Sequence, residues 1–124
     1  METVLVTGFN GFIGSHLIPQ LIQKYNVVGL STSKNSQLKI SQIKTDITKI
    51  DKKILPSKIS KIIHLAAISD VDFCQKNPLD TSKINIIGTQ KILELARKND
   101  SQVIFLSTAH VFGSPKNNPM DENF

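Results

Sequence analysis

Short apolar runs alternate along the chain with stretches in which apolar residues recur every three or four positions. Thr3-Val4-Leu5-Val6-Thr7 is continuous and β-branched and stops at a glycine-rich turn, after which Phe12, Ile13, Leu17, Leu21 and Ile22 follow at helical spacing. This predicts strand, turn and helix, with Pro19 bending the helix because it removes one backbone donor. Val27-Val28-Gly29-Leu30 predicts a second strand and Ser31-Thr32-Ser33-Lys34-Asn35-Ser36 a polar loop. A third strand is expected over 40–45, and Thr48 is expected to cap a helix carrying Ile50, Ile54 and Leu55 that stops near Pro56. Lys61-Ile62-Ile63-His64-Leu65 predicts a fourth strand and 66–77 a loop. Pro78 suits the first turn of a long helix with Ile84, Ile87, Ile92, Leu95 and Ala96 inward and Lys98-Asn99-Asp100 as its stop. Val103-Ile104-Phe105-Leu106 predicts a fifth strand, and Gly113-Ser114-Pro115-Lys116-Asn117-Asn118-Pro119 a loop.

Near-continuous apolar strands separated by amphipathic helices belong to parallel strands buried on both faces, so the expected class is α/β, a doubly wound parallel sheet of about five strands. At 124 residues, 40% hydrophobic and 20% charged, the chain has the composition of one globular domain and no room for two. The single cysteine, Cys74, excludes a disulfide framework and a cysteine-rich zinc site, and no metal site is expected. No basic segment followed by an apolar one opens the sequence, and charges interrupt every apolar run well before the roughly 20 residues of a membrane span. The expectation is a cytoplasmic protein without membrane partners. Fifteen basic residues against ten acidic give a net charge of +5. The lysines are scattered, with no aromatic interleaving, so they are read as solvated faces and not as a nucleic-acid surface.

The candidate chemistry lies in Thr7-Gly8-Phe9-Asn10-Gly11-Phe12-Ile13-Gly14, which sets three of the six glycines between the first strand and the first helix. Backbone amides and the positive end of the helix there face an anion, and a diphosphate is the natural ligand. Gly8 is expected to permit the tight turn, Gly11 to let the diphosphate approach the backbone, and Gly14 to let helix and strand pack closely. At the end of the second strand, where a carboxylate would bind the ribose diol of NAD, stands Ser31, followed by Thr32, Ser33 and Lys34. Small hydroxyls and Lys34 suit a 2′-phosphate, so the expected cofactor is NAD or NADP, with a lean to NADP.

TGFNGFIG resembles the TGxxGxxG fingerprint of the extended short-chain dehydrogenase/reductase family, also called the NAD-dependent epimerase/dehydratase family, and the resemblance implies a Rossmann-type fold. It adds Phe12 and Ile13 to the cofactor contacts. Thr45-Asp46-Ile47 resembles the acidic step that contacts adenine, so Asp46 and Ile47 are implied there; Asp46 could be only a helix cap, but its place at a strand's carboxyl end favours the contact. His64-Leu65-Ala66-Ala67 resembles the HxAA segment, which implies Leu65, Ala66 and Ala67 as cofactor neighbours; His64 itself is expected to be a packed core residue. Asn85-Ile86-Ile87-Gly88-Thr89 matches NxxGT, with Asn85 ordering the site. Leu106-Ser107-Thr108-Ala109-His110-Val111-Phe112-Gly113 resembles the segment that carries the catalytic hydroxyl. It implies Thr108 as the catalytic residue and Ser107 as a cofactor neighbour. Asp70-Val71-Asp72 and the Ser-Thr…Val-Phe pattern look nearest to the dTDP-4-dehydrorhamnose reductase branch, with sugar epimerases close by.

The family's Tyr-x-x-x-Lys pair is absent: the only tyrosine is Tyr25, with Gly29 four residues on. Residues 1–124 are therefore expected to be the amino-terminal portion of an NAD(P)-binding domain, the cofactor-binding part of a sugar-nucleotide oxidoreductase, epimerase or dehydratase, inactive alone. A nucleotide-sugar is expected to bind only with the carboxyl-terminal half. The fifth strand would leave an apolar edge that self-associates or docks a complementary half. A non-catalytic dinucleotide sensor is the alternative; a weak nucleic-acid binder rests only on charge, and a methyltransferase only on the glycines.

Overall fold

Five parallel strands, β1 (Thr3–Thr7), β2 (Asn26–Ser31), β3 (Ser41–Lys44), β4 (Lys61–His64) and β5 (Gln102–Phe105), form one sheet in the order β3-β2-β1-β4-β5. The structure is a computed structural model that describes residues 1–108 and 113–114. Ala109, His110, Val111 and Phe112, within the segment that carries Thr108, and Pro115-Lys116-Asn117-Asn118-Pro119 of the predicted loop lie outside the described residues.

The middle strand accounts for the continuous apolar run. Leu5 pairs with Val28 on one side and Ile62 on the other. Its side chain packs with Leu30, Ile47, Ile59, Ile92 and Leu95 on one face of the sheet, while Val4 and Val6 pack with Phe9, Ile18, Val27 and Ile63 on the opposite face. Both faces of β1 are covered, so polar alternation would bury unpaired groups there. The strand order runs outward in opposite directions from β1 and β4, and ligands of such sheets bind beyond the carboxyl ends at that reversal. β5 has one strand neighbour among the described residues, and Ile104 and Phe105 on it are 45% and 57% exposed.

The helices depart from expectation in instructive places. α1 (Phe12–Leu21) runs unbroken through Pro19, which sits close to its end and removes a single donor. Its buried residues are Gly14 and Ile18, whereas Phe12, Ile13 and Ile22 of the apolar series are 82%, 52% and 46% exposed. The helix packs on its glycine side, which lets it lie close to the turn.

No helix follows Thr48. Asp46 and Asp51 each accept the amide two residues on, closing two separate 3₁₀ turns at Ile47–Lys49 and Lys52–Ile54, so the backbone is diverted before a helix can propagate. The predicted loop 66–77 contains a short helix, α2 (Val71–Lys76), with Asp70 capping the Phe73 amide at 2.8 Å. The predicted long helix is α3 (Pro78–Ser82), a π-helical stretch Lys83–Gly88 and α4 (Thr89–Asn99) without a break, ending on Asp100 at φ 53°. The π stretch shifts the helical phase. Ile87, expected inward, is exposed and Gly88 buried in its stead, while Ile92, Leu95 and Ala96 face the core as their spacing predicts.

Candidate functional site

The turn after β1 is shaped by what its glycines leave out. Gly8 adopts φ +64°, a conformation that penalises any side chain, and donates its amide to Leu30 O at 2.8 Å. A methyl group there would lie 2.7 Å from Ala66 N, so the turn fits closely against the chain leaving β4. At Gly14 a Cβ would stand 2.2 Å from Phe9 O: the close approach is between helix and turn, not helix and strand as expected. Phe9, fully buried, fills the space beneath the turn, and its ring occupies the place a side chain at residue 29 would need.

Gly11 differs. It opens α1 with extended backbone at φ −82°, and the only atom near an added Cβ is Gly8 O at 3.4 Å. The first turn of α1 carries no acidic residue and no side-chain cap. The positive end of the helix therefore lies unneutralised beside an open approach, which fits the diphosphate of a dinucleotide.

Two clefts border the turn. One, of about 320 Å³, is lined by Gly8, Ser31, Thr32, Ile47, Ala66 and Ala67. The other, of about 440 Å³, is lined by Ile13, Leu65, Ala66, Ala67, Asn85, Ser107 and Thr108. They share Ala66 and Ala67, and the glycine turn reaches one at Gly8 and the other at Ile13. A ligand with two ends joined by phosphates matches this division. A larger opening, of about 820 Å³, lies at the opposite end of the strands around Glu2, Asn26 and Lys58, away from every residue of the turn.

The remaining predicted residues fall in different places. Lys34 borders a groove with Asn35, Ser36, Ile40 and Gln42, and does not line the cleft of Ser31 and Thr32. Asn10 instead joins the turn to that loop, donating to Ser33 Oγ at 2.9 Å and accepting from Asn35 Nδ2 at 3.3 Å. Asp46 Oδ1 accepts from the Thr48 hydroxyl at 2.6 Å and the Thr48 amide at 2.8 Å, and these bonds hold its carboxyl below the usual range. It acts as a cap, and its neighbours Thr45 and Ile47 line the cleft. Phe12 stacks obliquely on His16 at 4.8 Å on the outside of α1 and lines neither cleft. Among the described residues no group of three or more His, Cys, Asp or Glu is arranged to hold a metal ion, and no helix is long and apolar enough to cross a membrane.

Sequence reasoning missed a buried hydrogen-bond chain. Thr7 Oγ1 lies 2.7 Å from His64 Nδ1 and accepts from the Leu65 and Ala66 amides, both at 3.1 Å. His64 Nε2 lies 3.0 Å from Thr89 Oγ1, which donates to Asn85 O at 2.7 Å. Asn85 accepts the Ile68 amide at 2.8 Å and donates to Ile68 O at 2.9 Å. The NxxGT residues thus each have a structural task. Asn85 holds residue 68, Gly88 admits Ile47 Cγ2 where a Cβ would come within 2.6 Å, and Thr89 bonds His64. The signal available in the sequence was Thr7 and His64, polar residues that close the apolar runs of β1 and β4.

Burial holds the His64 imidazole below its ordinary pKa of 6.5, because desolvation disfavours the cation. An unfolded chain then binds a proton that the folded one refuses, so this contribution to stability is complete above pH 6.5 and is lost as pH falls from there toward the folded value. The urea midpoint is expected to drop between pH 8 and pH 5, and the His64 ring proton to titrate below 6.5 by NMR; titration at or above that value contradicts the prediction. The Asp46 contribution has the same sign but is lost only in acid below about 3.8.

The sequence and fold are shared with known proteins. The model of the NAD dependent epimerase/dehydratase family matches residues 4–124. UDP-glucuronic acid decarboxylase 6 of Arabidopsis thaliana is 34% identical over 98% of the chain and 38% of its own length. The solved UDP-N-acetylglucosamine 4-epimerase of Methanobrevibacter ruminantium M1, in complex with UDP-N-acetylmuramic acid, superposes with a TM-score of 0.84 at 32% identity, over 98% of this chain and 42% of its own. MoeE5, solved with UDP-glucose and NAD, gives 0.81 at 29% identity over 92% of this chain and 39% of its own. The chain spans about two fifths of the length of the relatives it matches.

Proposed function

The chain belongs to the NAD dependent epimerase/dehydratase family, and from that premise we propose that residues 1–124 form the dinucleotide-binding portion of an enzyme acting on UDP-sugars. The observation that carries this reading is the glycine turn set between two clefts that meet at Ala66 and Ala67. The adenosine half of NAD occupies the cleft of Gly8, Ser31, Thr32 and Ile47, and Asp46 supports that cleft through its cap. The amides around Gly11 take the diphosphate. The nicotinamide half lies toward Leu65, Asn85, Ser107 and Thr108, and when bound it supplies hydride chemistry.

Thr108 is the hydroxyl that hydrogen-bonds the reacting oxygen of the sugar. A Tyr-x-x-x-Lys pair, which residues 1–124 do not contain, exchanges the proton, so a polypeptide of these residues binds cofactor without turnover. The UDP-sugar 4-epimerase and decarboxylase relatives favour that substrate class over the dTDP-4-dehydrorhamnose reductase branch. The exposed outer side of β5 is where a further strand is added, from a complementary segment or a second copy.

No carboxylate stands at the end of β2 to repel a 2′-phosphate, so NADP is admitted beside NAD through Ser31 and Thr32, without help from Lys34. Calorimetric titration with both cofactors is expected to give binding constants within about tenfold of one another, a gap of roughly 1.4 kcal/mol. At least tenfold tighter NAD removes the tolerance for NADP. Absence of any binding removes the site.

A further inference from the structure

Residues 65–68, part of no strand or helix, run between the clefts, with Leu65 lining one, Ile68 the other and Ala66 and Ala67 both, and they are held at both ends. At one end Thr7 Oγ1 accepts the Leu65 and Ala66 amides, the former shared with Thr7 O. At the other, the Asn85 side chain takes both the amide and the carbonyl of Ile68. The His64 ring links the two anchors: it bonds Thr7 on β1 directly and reaches Asn85 through Thr89, whose hydroxyl donates to Asn85 O.

The directions of these bonds are determined by counting protons. A threonine hydroxyl has two lone pairs and one hydrogen. The lone pairs of Thr7 Oγ1 are occupied by two amides, so its hydrogen points to His64 Nδ1, which must accept. The ring proton then resides on Nε2 and is donated to Thr89 Oγ1, whose own hydrogen goes on to Asn85 O. Every donor in the series meets one acceptor. The opposite tautomer would set an Nδ1–H against the hydroxyl hydrogen of Thr7 and leave Nε2 bare, and an imidazolium would conflict in the same way at Nδ1. The burial that disfavours the cation acts in the same sense.

We infer that His64 is a positioning residue of the cofactor site: locked as the neutral Nε2–H tautomer, it couples the two anchors of the 65–68 strap and so fixes the wall between the clefts. The inference rests on the cofactor reading above. It gives a task to a residue that sequence reasoning left in the core.

The test combines nitrogen NMR of the ring with cofactor titration of the 124-residue chain. In the unaltered chain Nδ1 is expected to resonate as an unprotonated nitrogen and Nε2 to carry the proton. Thr89→Val keeps the shape and removes the acceptor. It is expected to weaken NAD binding about tenfold and to speed exchange of the Ala66 and Ile68 amides, because a buried N–H loses its partner and the strap loosens. Thr89→Ser, which restores the hydroxyl, is expected to bind within about twofold of the original. A proton on Nδ1, or Thr89→Val binding as tightly as the unaltered chain, overturns the inference. If Thr89→Val does not fold, the tautomer in the unaltered chain decides. If the unaltered chain shows the expected tautomer and amide protection but binds no dinucleotide, the cofactor reading fails while the strap stands.

Discussion

Replacing Gly14 with alanine is expected to cost about 3 kcal/mol or more of folding stability, because the new methyl group has nowhere to go. Its Cβ would sit 2.2 Å from Phe9 O, 2.5 Å from Phe9 C and 2.6 Å from Phe9 Cα. All three are backbone atoms, so no side-chain rotation relieves the overlap. Phe9 cannot retreat either, since its ring is fully buried and presses on Gly29. The start of α1 must lift off the turn, and with it Ile18, which fills the core on that face of the sheet. Thermal unfolding is expected to show a midpoint lower by about 10 °C or more, or no cooperative transition. A Gly14→Ala chain that melts with the original would mean that α1 does not rest on the turn as described.

Gly11→Ala is expected to do the opposite: leave folding nearly intact and remove cofactor binding. Gly11 has a negative φ of −82°, which alanine adopts freely, and its added carbon would meet only Gly8 O at 3.4 Å. The stability change is expected to be about 1 kcal/mol or less. Under the proposed function the open direction at this residue is the approach path of the diphosphate, so the same methyl group would separate the phosphates from the amides and from the helix end. NAD affinity is expected to fall about a hundredfold, close to 3 kcal/mol. Titration calorimetry beside a melting curve gives both quantities. Undiminished affinity in Gly11→Ala places the phosphates elsewhere and contradicts the proposed function, whatever happens at Gly14.

The contrast between these two glycines shows what could be read in advance. Spacing alone identified the motif, and the strands were legible because burial on both faces requires unbroken apolar runs such as Val4-Leu5-Val6. The motif already gives Gly11 to the diphosphate and Gly14 to close packing; what it does not show is that Gly14 packs against Phe9, an apolar residue inside a polar turn that no periodicity assigns. The helix expected after Thr48 failed for a local reason, since Asp46 and Asp51 each close their own turn. Ile87 was misplaced because a regular helical count cannot anticipate six residues of π geometry.

The candidate site was legible as a set of segments and not as a set of partnerships. Gly8, Ser31, Thr32, Ile47, Ala66 and Ala67 do gather at one cleft. The chain of polar contacts through His64 was invisible because its members are 57 and 25 residues apart and no local pattern joins them. Lys34 illustrates the converse. Adjacency in sequence to Ser31 and Thr32 placed it at the ribose, yet it lines a groove with Asn35, Ser36, Ile40 and Gln42.

The position of β1 bears on how the polypeptide acquires its shape. The first strand of this sheet in chain order is also its innermost, and its second neighbour, β4, does not begin until Lys61. Val4, Leu5 and Val6 therefore have no strand partner until β2 is made and remain half-paired while roughly thirty further residues are synthesised, a delay that local helix formation does not shorten. Nascent chains stalled before β4 would display this segment to chaperones, and those stalled beyond it would conceal it.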